Sequence, residues 1–203
     1  MIDNWKDMKV GQFKRLLDID SESEDSVFEM VSVLCGETLD QTLNRPIADV
    51  RRDVEKLSFL ETQPKIVRAH GKYKLGDTTY VFTSDPGEIT LAQYIDFSNE
   101  KKDASHITEM LSIVLVPEGH EYGQGYSFDK VRQDIDTYLG YEDANAISAF
   151  FFGLWILCLK RAVRVTRKAL KKAVKEGAVT KEQAEETLRE MQEVLRLTTG
   201  STA

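Results

Sequence analysis

Two hydrophobic rhythms alternate along the chain. In VGQFKRLLDI (10–19) Phe13, Leu16 and Leu17 recur at helical spacing and share one face. Ser26 with Glu29 reads as a capping box ahead of VFEMVSVLC, and Gly36 as its stop. Pro46 suits the first turn of a helix that carries Ile47, Val50, Val54 and Leu57; Pro64 closes that region. The period then changes. KYKLGDTTYVFTSD (72–85) predicts a hairpin, with Lys72 to Leu75, a Gly76-Asp77 turn, and Thr78 to Thr83 rich in β-branched and aromatic residues. KIVRA (65–69) reads as a candidate third strand. A two-stranded hairpin is marginal alone, so it is expected to pack on helices or against a neighbouring subunit.

Helical spacing returns at Thr90, which with Gln93 forms a capping box for LAQYIDF. Ser105 is placed to cap ITEMLSIVLV (107–116), ended by Pro117. EGHEYGQGY (118–126) reads as a loop held open by three glycines. Ser127 starts FDKVRQDIDTYL, with Val131, Ile135 and Leu139 in line and Gly140 as its stop. Asp143 is placed to cap a long helix. Thr180 and Gln183 form a capping box for a last helix carrying Ala184, Leu188, Met191 and Leu195 on one side, and Gly177 separates the two. The pattern therefore predicts an α+β fold, mainly α: a helical domain over 1–158 with one β-hairpin at about 65–83, then a basic helical hairpin over 159–203.

The long helix opens with AISAFFFGLWILCLKR (146–161). From Ala146 to Leu159 fourteen residues carry no charge. At 1.5 Å per residue they span only about 21 Å, short of the ~30 Å hydrocarbon core of a bilayer. The run is expected to be a core helix, with no membrane anchor. Its second half is amphipathic: Leu159, Ala162, Thr166, Leu170 and Ala173 follow one side, while Arg164, Arg167, Lys171 and Lys175 share another.

Charge sharpens this division. Residues 1–159 carry 28 acids and 16 Lys/Arg, a net −12; residues 160–203 carry 6 acids and 11 Lys/Arg, a net +5. Lys160, Arg161, Arg164, Arg167, Lys168, Lys171, Lys172 and Lys175 form one run without an acid before Glu176. Such a run is commonly a solvated face, but eight cations in sixteen residues repel one another unless an anionic surface is near. Two partners fit: acidic protein, on this chain or another copy, or nucleic acid. Nucleic acid is the lesser expectation, because no aromatic interleaving or binding motif accompanies the cations.

Candidate chemistry is sparse. His70, His106 and His120 lie far apart in sequence. Glu118, His120 and Glu121 cluster in the glycine-rich loop, without the spacing of a zinc or calcium motif. Gly123 and Gly125 do not open a βαβ unit, and no phosphate-binding loop or nucleophile elbow occurs. Cys35 and Cys158 read as buried thiols of a reducing compartment rather than a disulfide framework. MIDNWKDMKV lacks a basic stretch followed by an apolar one, so no secretory signal is expected. The expectation is a non-enzyme without cofactor or metal.

Several segments together resemble a family of small proteins encoded among the structural genes of tailed bacteriophages of gut Bacteroidetes, the crAss-like phages included. The matching pieces are WKDMKVGQF (5–13), SVLCGETLDQTLNRPIADV (32–50), KYKLGDTTYVF (72–82), ITLAQYIDF (89–97), LSIVLVPEGHEYGQGYSFDKVRQDI (111–135) and DANAISAFFFG (143–153). The likeness covers about residues 5–160; the cationic tail lies outside it. It implies a virion protein made in the bacterial cytoplasm, a self-associating ring or head–tail connector subunit at the portal–tail axis. Its implied partners are copies of itself and other virion proteins such as portal and tail, with DNA contact secondary. A tail-assembly chaperone or packaged cargo protein is the alternative, and a nucleic-acid-binding protein using the cationic helix is a third. The resemblance defines no functional residue.

Overall fold

The structure is a computed structural model. It describes residues 1–200 apart from 66, 84, 86–87 and 101–103; within helices, the side chains of 152, 154–159, 161–162 and 191–200 also lie outside the described set. The chain divides into two compact units, Met1–Ser148 and Ala149–Ala203. The division falls inside the apolar run rather than at its end.

In the first unit the helices are α1 (Val10–Leu17), α2 (Ser26–Cys35), α3 (Leu39–Leu43), α4 (Ile47–Lys56), α5 (Leu91–Asn99), α6 (Ile107–Val114) and α7 (Phe128–Tyr138). The strands are β1 (Lys72–Leu75), β2 (Thr78–Phe82) and β3 (Leu115–Pro117). Helix α8 runs Tyr141–Lys175, and α9 is Lys181–Gly200. The fold is mainly α with one small antiparallel sheet, as the hydrophobic pattern predicts.

The sheet order is β1-β2-β3. Leu75 pairs with Thr78 across the Gly76-Asp77 turn, and Gly76 takes φ +58°, the sign a glycine-first hairpin turn needs. The third strand is β3 rather than KIVRA. The described residues of 65–69 form no strand, and Ile66 lies outside the described set. The helix expected over 107–116 ends at Val114, and Leu115 turns to extended backbone at ψ 102°. Pro117 disfavours helix in the residue before it, and pairing of Leu115 with Phe82 makes a strand of the remainder. Alternation then sorts the faces. Tyr73, Leu75, Tyr80, Phe82 and Leu115 point into the core, and Lys72, Lys74, Thr79, Val81 and Val116 point out.

Helix α7 packs beneath the sheet, and α1 and α6 pack against α7. Val131, Ile135 and Leu139 are 1% exposed or less, so the expected stripe is the core stripe. Ser127, Thr90 and Thr180 each accept from a backbone amide three residues on, as their spacing predicts. Three other expected caps differ. Asp25 is the N-cap of α2, so Ser26 is its first residue; a short 3-10 turn (Ala104–His106) leads into α6; and α8 starts at Tyr141, placing Asp143 in its first turn. Helix α1 buries Val10, and Phe13 stacks on Tyr141 at 4.0 Å, while Leu17 stays exposed. Helix α4 buries Val50 and Asp53 and leaves Ile47 in solvent. The early Trp5 is structural: its indole donates to the Thr62 carbonyl (3.0 Å), and its ring meets Phe59 and Tyr141.

At the start of α8, Ala144, Ile147 and Phe151 are buried. Within the expected core run 146–159, Ala146 is also buried and Ser148 and Phe150 are half-buried, but Ala149 and Gly153 are exposed; the side chains of 152 and 154–159 lie outside the described residues. Among the described residues no helix is long and apolar enough to cross a membrane.

Candidate interaction surface

The cations singled out in the sequence all lie on the second half of α8. At 100° per residue, positions 160, 164, 167, 168, 171, 172 and 175 fall within an arc of about 140°. Lys160, Arg164, Arg167, Lys168, Lys171, Lys172 and Lys175 are all exposed; the side chain of Arg161 lies outside the described residues. The rest of the helix surface carries Val163, 8% exposed, and half-buried Leu170, Ala173 and Val174. Ala184 of α9 is also buried. The helix ends in a Schellman motif: Gly177 at φ +73°, with the Ala178 amide donating to the Ala173 carbonyl.

Among the described residues, one ion pair touches this arc, Lys172 to Glu176 at 3.7 Å within the same segment. An exposed pair of that kind is worth only ~0.3–0.5 kcal/mol and leaves the field of the face almost unchanged. The arc is thus a concentrated cationic surface, with Val165 at its edge and 61% exposed.

The other candidate residues do not converge. His70 packs edge-on to Tyr73, and His106 Nδ1 lies 3.6 Å from Glu100. His120 packs edge-on to Tyr126 in the glycine-rich loop. Glu118 pairs with Lys72 of β1, and Glu121 accepts from Gln124. Among the described residues no group of three His, Cys, Asp or Glu is placed to hold a metal ion. The loop is nonetheless built, not slack. The Tyr122 hydroxyl donates to Asp96 of α5 at 2.7 Å, and the Gly123 amide donates to the Tyr126 hydroxyl. Burial and that carboxylate partner push the Tyr122 phenol well above its ordinary pKa.

Two buried polar clusters escape sequence reasoning. Asp53, 6% exposed, accepts from Arg45 (2.5 Å) and Lys56 (2.9 Å). Burial opposes its charge, but the hydrogen bonds from Lys56 and Arg45 outweigh burial and hold the carboxyl below its usual value. Arg45 also reaches Glu37 and the Cys35 sulfur, so Cys35 is half-buried beside a guanidinium rather than in an apolar core. In the second cluster, the Tyr80 hydroxyl donates to Asp134 of α7 at 2.7 Å, and Lys130 donates to the same carboxylate. This bond ties the sheet to α7. Both clusters read as structural, because each charge or hydroxyl is satisfied within the cluster.

Comparison with protein families, curated proteins and solved structures finds no match. The class defined by fold and surface is therefore a mainly helical α+β protein that presents a cationic helix face.

Proposed function

We propose that this chain is a self-associating structural protein, a ring or connector subunit of a tailed-phage virion of the kind its resemblance over about 5–160 implies. The observation that supports self-association is the cationic arc of α8, with one ion pair among the described residues, on a chain whose first 159 residues carry a net −12. Copies arranged in a ring bring one subunit's arc against the next subunit's acidic surface. Single exposed ion pairs contribute ~0–1 kcal/mol each, so the contact depends on several acting together. The reading assigns the protein no catalytic role.

Reversing Arg164, Arg167, Lys171 and Lys175 to Glu tests it. Sedimentation velocity should show parent oligomers far heavier than the 23.1 kDa chain and a variant shifted toward monomer, most clearly at low ionic strength. A parent that stays monomeric or dimeric supports the chaperone or cargo reading instead. Mass spectrometry of purified particles, reporting presence and copy number, tests the virion assignment separately. The same arc favours one rival, a nucleic-acid contact. Duplex DNA binding with a steep inverse dependence on salt, lost in the reversed variant while assembly persists, would replace the self-association reading.

A further inference from the structure

A groove of about 670 Å³ lies on the outer face of the sheet. Val81 and Val116 form its floor, where β2 and β3 pair. One wall is the loop after β3, with His120, Glu121 and Tyr122; the other is the segment entering α5, with Glu88, and the first turn of α5, with Ala92. The bond from Tyr122 to Asp96 clamps the loop to α5 and fixes the groove's width.

Two properties of this groove match the α8 arc. Its charged lining is acidic: Glu88 and Glu121 line it, neither is ion-paired among the described residues, no lining residue is Lys or Arg, and Lys72, which faces Val81 on the same side of the sheet, is paired with Glu118. Its floor is apolar, and one step round α5 Leu91 is 73% and Ile95 47% exposed, extending the apolar surface past the rim. On α8, Val165 stands in solvent at the edge of the cationic arc, with Lys168 three and Lys172 seven positions further along the same side. A helix with its side chains is about 10–12 Å across, so two turns of it occupy roughly 900 Å³ or more; a groove of about 670 Å³ therefore takes a few side chains from one helix face rather than a whole helix.

We propose that this groove is the receptor for the cationic face of α8 from a second copy of the chain, with Val165 on the apolar floor and Lys168 and Lys172 against Glu88 and Glu121. The inference rests on the self-association reading and names both surfaces of the contact. The acidic rim repels nucleic acid, so it does not serve the DNA reading.

The test is a charge swap in the full-length chain, followed by sedimentation equilibrium at low ionic strength. Glu88→Lys with Glu121→Lys should weaken self-association at least tenfold, as should Lys168→Glu with Lys172→Glu. Combining all four should restore most of the loss, because the pairs are rebuilt with reversed sign. If the groove variant fails to fold by circular dichroism, Glu88→Gln with Glu121→Gln takes its place, with a smaller loss expected. Unchanged association in the groove variants, while the α8 variant dissociates, overturns the groove and leaves self-association standing. Two weakening pairs without restoration in the combination also overturn it. A parent that is monomeric at every concentration overturns both readings together.

Discussion

Asp53 contributes through its charge, and pH should reveal it. Its folded-state value lies below the 3.8 of an ordinary aspartate, held there against burial by Lys56 and Arg45. A depressed carboxyl stabilises the fold above the unfolded value, and that contribution is lost as pH falls through the folded value. Asp53→Asn should therefore cost ~1–3 kcal/mol at pH 7 in urea unfolding, with the gap to the parent closing under acid conditions. Tyr80 has the opposite sign. Burial and then the Asp134 bond raise its phenol above 10.0, so its contribution is complete below pH 10 and lost as pH rises through the folded value. Gly76 is constrained differently. Its φ of +58° penalises a side chain, and an added Cβ would lie 2.9 Å from the Tyr138 ring. Gly76→Ala should destabilise by at least ~1–2 kcal/mol, whereas Gly71→Ala, with open space and no left-handed φ, should stay within about 0.5 kcal/mol of the parent.

At the scale of elements, legibility in the sequence followed locality. The caps at Thr90, Ser127 and Thr180 and the stripe of α7 were readable because their partners lie within one or two helical turns. Strand β3 was not. IVLV (113–116) is a continuous apolar run that suits a buried helix and a buried strand equally, and pairing with β2, more than thirty residues away in the chain, decides its last residues. The cationic face of α8 was legible for the same local reason, since it is one run on one helix. The groove was not, because β2, β3, the following loop and α5 each contribute a part. Asp53 sat unmarked in a charged helix, and Lys56 of that helix together with Arg45, from the turn before it, shows why its charge is held in burial. Three substitutions test this division. Ile147→Ala and Leu115→Ala, both fully buried, should each cost ~2–5 kcal/mol by denaturant unfolding. Lys171→Ala, on the exposed arc, should change stability by less than about 0.5 kcal/mol.

On the whole-molecule scale the two readings of the cationic arc predict opposite responses to acid. Protein self-association sets this arc against carboxylates, most of which belong to the 28 acids of residues 1–159. Ordinary carboxylates lose their charge near pH ~4, while Lys and Arg keep theirs. Self-association measured by light scattering should weaken as pH falls from 7 toward 4.5, over the range where circular dichroism reports a native fold. It should also weaken between 0.01 M and 1 M salt, as the Debye length shrinks from ~30 Å to ~3 Å. Nucleic acid behaves otherwise, because phosphodiesters stay ionised across that pH range. As the acidic residues neutralise, their repulsion of DNA fades, so DNA affinity should rise at the lower pH even though it falls with salt in the same way. Salt alone therefore does not separate the partners, but pH does. Association that strengthens on acidification, or that ignores both variables, would remove acidic protein as the partner of the α8 arc; indifference to both would point instead to apolar contact through the exposed Leu91 and Ile95 of α5.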